Sequence, residues 1–69
     1  MLNQWRCKGG QYVLSGRSVS VTLWRSGASW MWETTPGPDG GVLSGRENRL
    51  SDAQAVAKSA VFSLENRDG

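Results

Sequence analysis

Three features of this 69-residue sequence predict an α+β domain, with an antiparallel sheet of three to four strands backed by one C-terminal helix in the order β-β-β-(β)-α. Between Val19 and Thr35, apolar and small polar residues alternate around a glycine turn, the period-two pattern of a hairpin. From Leu50 onward the apolar spacing becomes that of a helix. Between the two halves lies Pro36-Gly37-Pro38-Asp39-Gly40-Gly41, where prolines lack amide donors and glycines favour bends, so regular structure is interrupted.

The central hairpin carries three of the four tryptophans. Its first arm is Val19 to Trp24, its turn Arg25-Ser26-Gly27-Ala28, and its return arm Trp30 to Thr35, rich in aromatic and β-branched residues. Upstream, Gln11 to Leu14 reads as a strand, joined to the hairpin by a tight turn at Ser15-Gly16-Arg17. Residues 1–10, with Leu2, Trp5 and Cys7, form a short edge strand or a covering arm ended by Gly9-Gly10. Val42-Leu43-Ser44 forms the optional fourth, edge strand. The whole is one domain over residues 1–69, with the sheet within 11–46.

The helix is expected over residues 51–65. Ala53, Val56, Ala57, Ala60, Val61 and Leu64 fall on one side of it. Ser51 is the expected N-cap, Gln54 completes a capping box, and Asp52 complements the helix dipole. Residues 66–69 end the helix and fray. A stripe of alanine and valine brings the helix close to the sheet, where Val19, Val21, Leu23, Trp30 and Trp32 are the expected core partners.

Composition narrows the function classes. The chain contains a single cysteine, so no intramolecular disulfide forms, which points to a reducing, cytoplasmic setting. There is no signal-peptide pattern at Met1-Leu2-Asn3-Gln4 and no long apolar run, so neither secretion nor a membrane partner is expected. Histidine is absent, the carboxylates are isolated, and no glycine-rich phosphate loop occurs, so no catalytic, metal or cofactor site is expected. Cys7, between Arg6 and Lys8, is expected to be a small core residue rather than a reactive thiolate. Net charge is +2, and six of the eight basic residues precede Ser51, against three acidic ones there.

If Val19, Val21 and Leu23 face the helix, alternation turns Ser18, Ser20, Thr22 and Trp24 away from it, together with Met31, Glu33 and Thr35 on the next arm. One helix cannot cover both faces of a sheet. The candidate contact residues are therefore Trp24, Met31, Thr22 and Ser20, with Arg17 and Arg25 at the ends of the strand. Phe62 lies about 180° round the helix from Ala53. It is covered by the arm bearing Trp5 or by the helix end, or else it marks a secondary contact with a partner or a second copy of the chain.

The run Ser26-Gly27-Ala28-Ser29-Trp30-Met31-Trp32, the glycine-rich loop, Gly45 and Leu50-Ser51-Asp52-Ala53-Gln54-Ala55-Val56-Ala57 together resemble the N-terminal arm-binding domain of phage integrases and the related AP2-type domains. That resemblance spans residues 17–64. It implies a three-stranded sheet backed by a helix, entering the DNA major groove, with Arg17, Ser20, Thr22, Trp24 and Arg25 toward DNA. The chain departs from the pattern in having a hydroxyl-rich face that carries Glu33 and no evident row of cations. A looser likeness is to small antitoxin-type sheet-helix domains that act by protein contact. The sequence therefore puts first a stoichiometric protein-binding module, such as a phage or mobile-element regulator or inhibitor of a host defence complex. Second comes a DNA-binding module using the same face.

Overall fold

The computed structural model describes residues 5–66. Five strands and one helix follow in chain order: β1 (Arg6–Lys8), β2 (Gln11–Ser15), β3 (Ser20–Ser26), β4 (Ser29–Thr34), β5 (Ser44–Glu47) and α1 (Leu50–Glu65). Each strand pairs antiparallel with its neighbours in sequence, so the sheet order is β1-β2-β3-β4-β5. The α+β class is as the sequence predicts, with strands added at both edges.

The short connections force this up-and-down order. Gly9 and Gly10 both take positive φ, 60° and 82°, the combination that lets a two-residue turn follow the twist of its strands. Residues 6–8 accordingly form the edge strand rather than a loose arm, and Trp5 packs against the margin of the core. Met1 to Gln4, Leu2 among them, lie outside the described residues, as does the expected fray at 67–69.

At the other edge the expected strand Val42-Leu43-Ser44 is displaced. Val42 and Leu43 lie in the loop, and pairing with β4 begins at Ser44, opposite Glu33. Two bonds set this point. Thr34 N–H donates to the Leu43 carbonyl at 2.9 Å, and Leu43 N–H donates to Thr34 Oγ1 at 3.0 Å. The preceding loop closes on itself through Gly37 N–H to the Gly41 carbonyl, 2.8 Å, and Gly41 N–H to Asp39 Oδ1, 2.9 Å.

Leu14, Val19, Val21, Leu23 and Trp32 from the sheet side meet Ala53, Ala57, Ala60, Val61 and Leu64 of α1 in the core. The small residues on the helix stripe let it lie close over β3, β4 and β5, and the bulk comes from the sheet. Two expectations about the core need correction. Val56 is 39% exposed, because five stripe positions already fill the contact with the sheet. Trp30 is half-buried beside the core, edge-on to Tyr12 with ring centroids 5.8 Å apart.

The helix also starts earlier than expected. Arg49 occupies the N-cap in extended backbone, φ −123° and ψ 145°, with no side-chain capping bond. Leu50 packs against the core, and that burial outweighs the local capping preference of Ser51. Ser51 is therefore inside the first turn and forms no capping box. Asp52 remains in the first turn, at the positive end of the dipole. Asn66 caps the C-terminus, its N–H donating to the Phe62 carbonyl at 3.1 Å. Among the described residues no helix is long and apolar enough to cross a membrane.

Candidate functional site: the open face of the sheet

Directly opposed residues of an antiparallel pair project to the same side, so the registers sort the side chains into two faces. Tyr12, Leu23, Trp32 and Gly45 form one line toward the helix, and Leu14, Val21 and Thr34 the next. Among the described residues no helix covers the other side. There Arg6, Val13, Thr22, Glu33 and Ser44 share one line across all five strands.

A second line on that face holds Trp24, Met31 and Arg46, and its far end holds Gln11 and Lys8. Extending the Tyr12 and Leu23 pairing by one residue brings Gln11 beside Trp24 and completes the line. Trp24, Met31, Thr22 and Val13 are half-buried, while Arg6, Lys8, Gln11, Glu33 and Arg46 are exposed. The centre of the face is thus aromatic and apolar, with Arg6 and Lys8 along the β1 edge and Arg46 on the β5 edge.

Of the residues expected at the site, the register brings together Trp24, Met31 and Thr22. Ser20 lies on the same side at the end of β3, its N–H held by Thr35 Oγ1 at 3.0 Å. The two arginines lie elsewhere. Arg25 pairs with Trp30, on the helix side of the sheet, and its Nε donates to the Gly27 carbonyl at 3.2 Å. Arg17 sits in the turn between β2 and β3, next to Glu65.

Arg6, Lys8 and Arg46 take their place, and none forms an ion pair with a described residue. The signal for two of them was the spacing Arg6-Cys7-Lys8, which sets both cations on one side of any strand. Cys7 consequently lies opposite Tyr12 on the other side, where it is exposed rather than in the core, because the helix does not extend over β1. Phe62 is 44% exposed, and Trp5 packs against the core margin.

The remaining unusual group is Glu65, a buried carboxylate at the end of α1. Its Oε2 accepts from the amides of Ser18, 2.7 Å, and Val19, 3.1 Å. Burial raises its pKa, but the amides of Ser18, Val19 and Arg17 and the Arg17 charge outweigh that and hold it below the ordinary 4.5. This is a clamp between helix end and turn. It could have been read from the sequence as a carboxylate four residues after Val61, on the buried side of the helix.

Among the described residues no three His, Cys, Asp or Glu side chains gather as a metal-binding set. The chain matches no family model, no curated protein and no solved structure.

Proposed function

We propose that this chain is a non-catalytic nucleic-acid-binding module that uses the open face of its sheet. One observation carries the reading: Arg6 and Lys8 on β1 and Arg46 on β5 share that face with Trp24 and Met31, with no described carboxylate paired to them. Glu33 is the one acidic residue on those two lines, which leaves the face with an excess of cations. The sequence puts protein contact first, on the Trp24 and Met31 face and the lack of catalytic groups; three cations sharing that face favour a polyanionic partner instead.

Neutralising three phosphates gives a salt slope of about −2 for a single strand and nearly −3 for a duplex. Fluorescence anisotropy of a labelled 12-nucleotide probe is the test. Affinity should fall about 20- to 40-fold between 50 and 200 mM salt. The variant Arg6→Gln/Lys8→Gln/Arg46→Gln should bind weakly with a nearly flat slope. Absence of binding by the wild-type protein at 50 mM salt overturns the reading. The second reading, a stoichiometric protein contact, then stands, favoured by the adjacency of Trp24 and Met31, since Trp and Arg are enriched at interface hot spots.

A further inference from the structure

We propose, building on that reading, that the occupant of the open face is a single nucleic-acid strand, with a base stacked on Trp24 and phosphates held by Lys8 and Arg46 at the two ends of its line. The width of the sheet is the first reason. Five strands at the usual spacing of about 4.8 Å put β1 and β5 about 19 Å apart before any side chain is added. A B-DNA major groove is about 12 Å wide and admits a helix or a two-stranded ribbon. The groove-entering mode implied by the integrase-arm resemblance therefore does not suit a sheet of this breadth.

The position of the tryptophan is the second. Trp24 is on β3, the middle strand, with Met31 opposite it on β4, while the cations are on β1 and β5. A duplex laid across this face would present its phosphates and keep its base faces stacked inside, leaving Trp24 without a partner. A single strand offers both. Its backbone can cross the face from Lys8 to Arg46 while an unstacked base covers the aromatic centre, the combination of backbone cations and stacking that sequence-tolerant single-strand binders use. Charge complementarity thus selects a polyanion, and the central indole selects one with accessible base faces.

The experiment compares a labelled 12-nucleotide oligo(dT) with a 12-base-pair duplex, using anisotropy and tryptophan emission at 50 mM salt. The single strand should bind at least tenfold more tightly and quench the emission. Trp24→Ala should lose about 5- to 150-fold in affinity for oligo(dT), the range expected for one stacked base, and most of the quenching. Trp24→Phe keeps an aromatic surface, should retain most of the affinity, and controls for a folding defect in the alanine variant. Duplex binding as tight as single-strand binding, or a folded Trp24→Ala with unchanged affinity, overturns the single-strand proposal but leaves nucleic-acid binding in place. Failure to bind either probe overturns both.

Discussion

Trp32 on β4 lies over Gly45, its direct partner on β5, so closely that a Cβ on Gly45 would sit 2.8 Å from Cε2, Cζ2 and Nε1 of the indole. The ring occupies the volume that a side chain on the edge strand would fill. Gly45→Ala should therefore destabilise by about 1–3 kcal/mol through overpacking, and Trp32→Ala by about 3–5 kcal/mol through loss of the largest core residue. Urea unfolding checks both. In a Trp32→Leu background the Gly45→Ala penalty should shrink, because the atoms it meets are gone. An undiminished penalty would show that the clash is not with this ring.

Trp24 offers the contrast within the same hairpin. It is half-buried on the open side, whereas Trp32 is 6% exposed in the core. Trp24→Ala should cost at most about 1 kcal/mol, the span of strand preference, and leave far-UV circular dichroism unchanged. Equal melting-temperature losses for the two variants would mean that Trp24 is a packing residue.

Glu65 makes stability depend on acid. Its folded pKa is below that of the unfolded chain, so its contribution is present above the unfolded value and is lost as pH falls through the folded one. Between pH 6 and pH 3 the melting temperature of the wild type should fall more than that of Glu65→Gln, which has no carboxyl to protonate. Glu65→Ala leaves the Ser18 and Val19 amides without their acceptor and should cost about 2–4 kcal/mol at pH 7. Parallel pH curves for wild type and Glu65→Gln would count against the clamp.

Thr34, buried beside the loop, accepts the Leu43 amide on its hydroxyl. Thr34→Val preserves the shape and removes the acceptor. It should cost about 1–3 kcal/mol, and the Leu43 amide should exchange with solvent faster than in the wild type. Unchanged protection of that amide would show that the hydroxyl bond is dispensable.

The legible parts of the fold were those with strong internal periodicity. Val19 to Trp24 alternates, and the Ala53 to Leu64 stripe repeats at helical spacing, so the central hairpin and the helix could be placed from local pattern alone. β5 had no such pattern. Ser44-Gly45-Arg46-Glu47 is polar and contains a glycine, and it is a strand because Trp32 covers that glycine from the neighbouring chain segment. β1 is too short to show alternation, and its register follows from the two-glycine turn. The site followed the same division. Trp24 and Met31 were readable because they sit on the periodic strands, while Arg6, Lys8 and Arg46 sit on edge strands with no alternation to mark their faces.

The clamp of Glu65 on the Ser18 and Val19 amides joins positions 47 and 46 residues apart. Helix end and entry turn, far apart in the chain, hold each other in place only when both the sheet and α1 are formed. A chain truncated before Glu65 would retain every strand and still lack this brace.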